Sequence, residues 1–431
     1  MAQILFSTTP LHGHINASLL LAKTLVEKGH EVVWYTGKRF KETIEAIGAR
    51  HIAMSFDYDD RKLEEEFPDR RNHAGIEQMK HDMREIFLKP TPTYVREIRS
   101  ILETFPAEAI VVDPSCWFML PMIESGELKS RKVVVTGFTA LTVSSVDTPP
   151  FGPALPVTPG VDERERNIAM NHQFENVIFA DVLQYFNQLL SDNGLPQVHV
   201  YILDAMTKLC DLYLEYTVPA FEYPRSDLPS TVRFVGPMLD KNAKTPENLP
   251  DWWSELNGER PVVHVTQGTL DTGNFNRLVV PTIRALAEED VLVVVSTGGR
   301  PVSAIGADLP ANVRVAEYLA YNAFLPLVDI MITNGGYGGV QQALANGVPL
   351  IAAGDSEDKP EVNQRIAWSG AGLNLLTGAP SPEQLRDAVR TVLADGKYRI
   401  RAKQLQEVFA KYDGPRDAAR LLEQLIDNGG L

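Results

Sequence analysis

Short apolar runs alternate along this chain with stretches whose apolar positions fall three and four apart. Residues 3–9 form the first run and end in Thr-Thr-Pro. Over residues 14–28, Ile15, Leu19, Ala22, Leu25 and Val26 share one helical face, and Gly29 closes the pattern. Glu31 to Thr36 is again strand-like. A strand buried on both faces reads as a continuous apolar run, whereas a surface helix repeats every 3.6 residues. The opening therefore predicts a strand–helix–strand unit and a parallel sheet. Ala109 to Asp113 and Lys132 to Thr136 add further strands. Between these blocks, residues 57–106 are charged and helical in character, with Met and Phe interspersed. Residues 147–160 are rich in Pro and Gly, which predicts a long loop. Such excursions usually shape a pocket.

The pattern restarts after residue 230. Thr231 to Gly236 reads as a short strand, followed by a polar stretch, Lys241 to Pro250. Pro261 to Thr266, Val291 to Ser296, Val313 to Val315, Ile330 to Thr333 and Leu350 to Ala352 are strands with helical segments between them. Pro382 to Leu393 and Asp417 to Ile426 read as amphipathic helices. The expectation is α/β, with two doubly wound Rossmann-like domains facing across a cleft. Domain one spans 1–230, a linker 231–258 and domain two 259–412. A C-terminal helix over 413–431 can pack back on the first domain.

Length agrees, since 431 residues at roughly 100–200 per domain make two domains. The net charge of -15 makes nucleic acid a poor partner. It does not exclude a phosphorylated ligand, because a helix N-terminus holds phosphate without a basic surface. Cys116 and Cys210 have no metal-ligand spacing and make no disulfide framework. The first residues read as a strand rather than a signal peptide. No apolar run reaches the ~20 residues of a membrane helix. These features favour a cytoplasmic protein without a membrane span, monomeric or homodimeric.

The densest chemical signal is Thr333-Asn334-Gly335-Gly336-Tyr337-Gly338-Gly339, which leads into Gln341, Gln342 and Gly347-Val348-Pro349. A strand enters, glycines follow and a helix begins. Glycines admit close approach to backbone N–H groups, and the helix start adds a positive dipole end. The combination suits a diphosphate. The spacing is neither Gly-x-Gly-x-x-Gly nor a Walker loop, which lowers a nicotinamide oxidoreductase or simple ATP site. A second cluster, Gly354 to Pro360, contains Asp355, Glu357, Asp358 and Lys359 at a strand end. Near the start, His14 lies at a strand–helix turn and Asp113 ends a separate strand. An imidazole oriented by a carboxylate is a competent general base near neutral pH. Asp57-Tyr58-Asp59 resembles a metal-binding Asp-x-Asp but lies in the charged insert and reads as a solvated loop.

The stretch from Thr333 to Gly372 resembles the donor-binding signature of family 1 glycosyltransferases of the GT-B fold, which include macrolide and natural-product enzymes. The resemblance extends in order along the whole chain. It implies inverting, metal-independent transfer of a sugar from a UDP- or dTDP-sugar to a hydroxyl of a hydrophobic small molecule. The first domain would bind the acceptor and the second the donor, with no cofactor beyond the nucleotide sugar. His14 and Asp113 would be the catalytic pair, with Gly13 beside them. Asn334, Gly335, Gly336, Gly338 and Gly339 would hold the diphosphate, with Thr269 nearby. Tyr318 would stack on the base, and the Leu319 backbone would bond it. Gln342 would reach the ribose, and Asp358 and Lys359 the sugar hydroxyls. Phe56, Phe87, Trp117 and Phe138 would line the acceptor pocket, with Met83, Phe118 and Phe151 as further candidates. Four positions depart from the family pattern. Asn334 replaces a His, Gly339 a Ser or Thr, Gln342 a Glu, and Lys359 a Gln. Lys359 would offset a carboxylate or a charged donor group. Two alternatives share the fold: a nucleotide-sugar epimerase or hydrolase, and a non-catalytic nucleotide-sugar-binding auxiliary protein.

Overall fold

The structure is a computed structural model that describes every residue except 159, 242–247, 270, 307 and 429–431. It contains two all-parallel sheets. The first comprises β1 (Gln3–Ser7), β2 (Glu31–Thr36), β3 (Arg50–Ala53), β4 (Ala109–Val112), β5 (Lys132–Gly137), β6 (Leu212–Glu215) and β7 (Val232–Phe234), in the order 3-2-1-4-5-6-7. The second comprises β8 (Val262–Thr266), β9 (Leu292–Ser296), β10 (Val313–Ala316), β11 (Ile330–Thr333), β12 (Leu350–Ala352) and β13 (Gly372–Asn374), in the order 10-9-8-11-12-13. In both sheets the strand order reverses once, between β1 and β4 and between β8 and β11. Ligands of such sheets bind beyond the carboxyl ends of the strands at that reversal, where the connections part in opposite directions.

The central strands are buried throughout, which explains their richness in Val and Ile, with His264 a buried exception in β8. Helix α1 (His12–Glu27) lies on one face of the first sheet. Ile15, Leu21, Ala22 and Leu25 pack there with Ile4, Phe6 and Trp34. The C-terminal helix, Gly414–Asn428, lies on this same face and contributes Ala418, Ala419, Leu422 and Leu425 to that cluster. The other face is covered by the segments between β3 and β4, between β4 and β5 and between β5 and β6. There Met83, Tyr94, Ile98, Phe118, Phe179 and Phe186 are buried.

One boundary needs correction. The expected strand at 231–236 is β7, the parallel partner of β6, so the first sheet continues past residue 230 and the linker begins later. Strand β6, Leu-Tyr-Leu-Glu, breaks the apolar pattern with a fully buried glutamate and so escapes a reading based on periodicity. Residues 242–247 of the expected linker lie outside the described residues, as do 159 of the expected loop, 270 and 307 of the expected second domain, and 429–431 of the expected terminal helix. The segment after β6 also crosses over, because Val218 and Phe221 are buried in the core of the second sheet. Among the described residues, no helix is long and apolar enough to cross a membrane.

Candidate functional site

Both candidate half-sites sit at the strand-order reversals. In the first sheet, β1 and β4 pair Ser7 with Val112, so the residues just beyond them are neighbours. Those residues carry the catalytic candidates. His14 Nδ1 lies 3.1 Å from Asp113 Oδ2. The Asp113 carboxylate is fully buried and also receives the Thr9 N–H at 2.6 Å and the Thr9 hydroxyl at 2.9 Å. Burial pushes the Asp113 carboxyl up. The adjacent His14 and the Thr9 hydrogen bonds outweigh that and hold it below the usual carboxylate range. His14 itself is partly open, with 17% of its side chain exposed, as a group that must reach a substrate requires. The Phe138 ring meets its imidazole edge-on at 4.7 Å.

The turn that carries His14 is clamped by a residue that the sequence gave no reason to choose. Asp60 receives the His12 N–H at 2.7 Å through one oxygen and contacts His12 Nδ1 at 2.7 Å through the other. Arg39 binds the same carboxylate at 2.9 Å and also the Pro10 carbonyl. A carboxylate at a helix start satisfies an orphan N–H and meets the positive dipole end. The adjoining Asp57-Tyr58-Asp59 stretch is therefore not the solvated loop expected of it. Tyr58 and Asp60 are buried, and Asp59 pairs with Arg39.

In the second sheet, β8 and β11 pair Thr266 with Thr333, which places Gln267 to Thr269 beside Asn334 to Gly336. Here Asn334 departs from expectation. It is buried, and its amide donates to the carbonyl of Gln267 at 2.8 Å, whose own side-chain amide donates to the Asp271 carbonyl at 2.7 Å. Its side chain ties the two strand-end loops together instead of reaching outward to a phosphate. Gly335 has φ +97, and a Cβ there would stand 2.0 Å from Asn363 Oδ1, so its glycine is demanded by the fold. Helix α2 (Tyr337–Ala345) then begins, capped by the half-buried Gly336.

Gly338 and Gly13 differ from Gly335. Both are exposed in the first turn of a helix, neither has positive φ, and an added Cβ would meet nothing within 4 Å. No internal packing explains either glycine, although glycine costs a helix interior up to about 1 kcal/mol relative to alanine. Close approach of a ligand does explain them. Gly338→Ala is expected to leave thermal stability unchanged or slightly higher. It should also weaken UDP or dTDP binding about tenfold, equivalent to ~1.4 kcal/mol. Calorimetric titration beside a thermal melt checks both. Undiminished affinity would remove this reading of the glycine.

The remaining donor-side candidates surround this helix start. Thr269 is exposed, and its loop touches the β9 end closely enough that a Cβ on Gly298 would strike the Gly268 carbonyl. Tyr318 is 65% exposed with its hydroxyl over Gly299, an open ring available for stacking, and Leu319 is half-buried beside it. Gln342 is half-buried on α2. Its neighbour Gln341 is committed to the Thr217 hydroxyl at 2.9 Å.

The acidic loop reaches across to the first half. Asp358 Oδ2 accepts the Thr139 hydroxyl at 2.6 Å, and burial raises the Asp358 carboxyl. Lys359 opens helix α3 (Lys359–Ser369) and is buried in an ion pair with Glu357. Burial works against its charge, but Glu357 prevails and raises the ammonium. Of the two expectations for Lys359, a carboxylate or a charged donor group, the structure supplies the carboxylate, that of Glu357. Glu357 has a positive φ of 57 and lies within electrostatic reach of both His14 and Arg70. The Phe138-Thr139 dipeptide after β5 thus contacts the base candidate with one residue and the sugar-loop candidate with the next.

Of the expected acceptor aromatics, Phe138 has the ring contact with His14. Phe87 and Trp117 pack edge-on at 5.8 Å, and Phe56 packs against Tyr58 and Tyr94 at 6.1 and 6.2 Å. Met83 and Phe118 are buried in the core, and Phe151 is half-buried against it. Thr9, Asp60, Gln267, Asp271 and Asn363 are the site residues that sequence reasoning missed. Only the Thr-Thr-Pro ending of β1 marked one of their places in advance.

Comparison with known proteins agrees with this geometry. Residues 281–425 match the family described as "Erythromycin biosynthesis protein CIII-like, C-terminal domain". The chain is 40% identical over 430 residues to the 4'-demethylrebeccamycin synthase of Lentzea aerocolonigenes, covering 99% of this chain and 100% of that one. It is 32% identical to UDP-glycosyltransferase 2 of Phaeomoniella chlamydospora, covering 98% and 95% of the two chains. Among solved structures, the glycosyltransferase of kitacinnamycin superposes with a TM-score of 0.75 at 20% identity, over 99% of both chains. The calicheamicin glycosyltransferase CalG4 gives 0.74 at 20% identity, over 99% of this chain and 98% of that one. These two establish the fold as GT-B. The chain belongs to the natural-product branch of the family 1 glycosyltransferases and is an enzyme that transfers a sugar from a nucleotide-sugar donor to a small-molecule acceptor.

Proposed function

We propose that this enzyme transfers an uncharged hexose from UDP- or dTDP-sugar to a hydroxyl of a hydrophobic natural product, with inversion at the anomeric carbon. The supporting observation is the His14–Asp113 pair at one strand-order reversal, with the glycine-rich start of α2 at the other. In this reading His14 Nε2 takes the acceptor proton as the oxygen attacks. Asp113 stabilises the imidazolium that results. Positive charge develops on the sugar as the diphosphate leaves. The leaving charge is taken up by the first-turn N–H groups and dipole of α2, so the reading requires no metal. Asp358 is offered to the sugar hydroxyls once Thr139 moves aside. The neutralised Lys359–Glu357 pair favours a sugar without carboxylate or amine.

The test is a transfer assay with α-linked UDP-glucose and dTDP-glucose. The aglycone of the 4'-demethylrebeccamycin type is the first acceptor to try, because the 40% identical relative is named for that product. A β-linked glycoside, read from the anomeric coupling in NMR, is expected. An α-linked product would overturn the inverting reading. Sugar release without any glycoside, across a panel of hydroxylated aglycones, would replace it with hydrolysis.

A further inference from the structure

Thr9 stands inside the His14–Asp113 pair. It follows β1, is 4% exposed, and is β-branched, so its hydroxyl has little rotational freedom. Its N–H and its hydroxyl both point at Asp113 Oδ2, at 2.6 and 2.9 Å. Its hydroxyl oxygen lies 2.5 Å from His14 Nδ1, which is itself 3.1 Å from the same carboxylate oxygen.

These distances leave one consistent placement of hydrogens. A hydroxyl has a single hydrogen, and here it goes to the carboxylate. The Thr9 oxygen then faces Nδ1 with lone pairs. If Nδ1 carried no hydrogen, its own lone pair would face both that oxygen and the charged Asp113. Nδ1 must therefore be the donor in the neutral ring, which leaves Nε2 as the nitrogen that can accept a proton. We propose that Thr9 is a positioning residue that locks the proton of neutral His14 on Nδ1 through a His14–Thr9–Asp113 relay of hydrogen bonds, leaving Nε2 as the base. The proposal rests on the reading of His14 as the base. No proton passes to Asp113 in the relay. When Nε2 takes up the acceptor proton, the imidazolium keeps its Nδ1–H on Thr9 and the carboxylate remains charged.

Asp113 faces the same Nδ1 directly at 3.1 Å, and Thr9 supplies the second, closer oxygen; among the described residues, the other neighbours of His14 set no tautomer. Phe138 presents a ring, which sets tilt but not tautomer. Glu357 is the charged group reaching it from the second sheet. The neighbouring His12 is held by Asp60 through a separate set of contacts. The second hydrogen bond through Thr9 also fixes the rotation of the imidazole about its Cβ–Cγ bond, since Nδ1 must meet two oxygens at once.

The experiment uses the full chain with ¹⁵N-labelled histidine. The chain has nine histidines, so His14 is assigned by loss of its signals in His14→Gln. In its neutral form, the wild-type ring should show a protonated Nδ1 and a bare Nε2. Thr9→Val keeps the shape and removes the hydroxyl. It should shift the ring toward the Nε2–H tautomer and lower kcat about 10–100-fold, with donor KM changed by less than about twofold. Thr9→Ser should restore both the tautomer and kcat to within about threefold of wild type. A wild-type ring protonated on Nε2 overturns the proposal whether or not any variant folds. Thr9→Val with unchanged tautomer and kcat also overturns it. Equal losses in the Val and Ser variants with an unchanged tautomer would mean packing alone, which overturns it as well. An inert His14→Ala would instead remove the base reading and leave the tautomer measurement standing by itself.

Discussion

His14→Ala is expected to lower kcat about 10²–10⁴-fold while leaving UDP or dTDP binding near its wild-type strength. The size follows from the work assigned to the side chain. The acceptor hydroxyl is a weak nucleophile until its proton leaves, and the proposed mechanism assigns that proton to the imidazole. The separation of effects follows from position. His14 is fixed to the end of β1, whereas the nucleotide candidates sit at the ends of β8, β9 and β11 in the other sheet. The fold should survive, because His14 is partly exposed and its partner Asp113 retains both Thr9 hydrogen bonds. Asp113→Asn should also be slow. It replaces the charge that stabilises the imidazolium and can present an amide hydrogen where Thr9 now donates. Steady-state kinetics with saturating donor, beside calorimetric titration of the diphosphate, checks the pair. Loss of nucleotide affinity equal to the loss of kcat in His14→Ala would mean that the residue serves binding rather than proton removal.

The largest effect on stability is expected at Arg365. Its guanidinium is 2% exposed and meets Glu222 through three contacts of 2.8 to 2.9 Å, with the Glu361 carboxylate at 3.3 Å. It also lies 4.3 Å from the centre of the Tyr223 ring. Arg365 belongs to α3, beside the second sheet, while Glu222 follows β6 of the first. Glu361 extends the same junction by accepting the Gly152 and Ala154 N–H groups at 2.8 Å. Burial pushes Glu222 up. Arg365 and then Arg225 more than reverse this and hold it below the usual range, so it is charged at neutral pH. Arg365→Met removes one charge and leaves the other buried. Breaking a buried pair from one side costs about 3–5 kcal/mol, and the loss here should fall toward the lower end because Arg225 still faces Glu222 at 3.1 Å. The measurement is the urea midpoint. Glu222→Gln combined with Arg365→Met should recover part of the loss, since the two residues interact directly. A single-variant loss below about 1 kcal/mol would show that solvent reaches the pair, contrary to its burial.

The same pair gives stability a direction with pH. A carboxyl held below its unfolded value contributes stability above the usual carboxylate range, and that contribution is lost as pH falls through its folded value. Glu222 and Asp113 both act in this sense. Glu215 acts oppositely. Burial and then Glu222 raise it well above the usual range, so its contribution declines as pH rises from that range toward its raised value.

The amino-acid sequence alone determined most of the central strands, the two parallel sheets and the glycine-rich start of α2, but not the edge strands β3 and β13. These are local or nearly local properties. Burial on both faces makes Ala109–Val112 or Ile330–Thr333 continuously apolar, and a helix start that a ligand must approach favours glycine where packing does not require it. His14 and Asp113 were legible for a related reason, since one opens the helix after a recognisable strand and the other follows the end of a second. β6 was not, because a buried Glu215 closing the strand contradicts the apolar pattern, and its acceptance of the Tyr337 hydroxyl at 2.7 Å is a contact across the two halves.

Only the tertiary structure decided what the polar side chains do. Asn334 looked like a phosphate donor until the pairing of β8 with β11 set the Gln267 carbonyl beside it. Lys359 could have offset a carboxylate or a charged donor group until the turn at Glu357 folded a carboxylate back onto it. Asp57-Tyr58-Asp59 looked solvated, but Tyr58 is buried and Asp59 pairs with Arg39. Thr9 acquired its place because β1 and β4 are neighbours, though 104 positions separate it from Asp113. A hydrogen bond requires two groups to meet within a fraction of an ångström and at a suitable angle. Periodicity specifies which face a residue occupies. Strand order and register determine which distant residue lies opposite it.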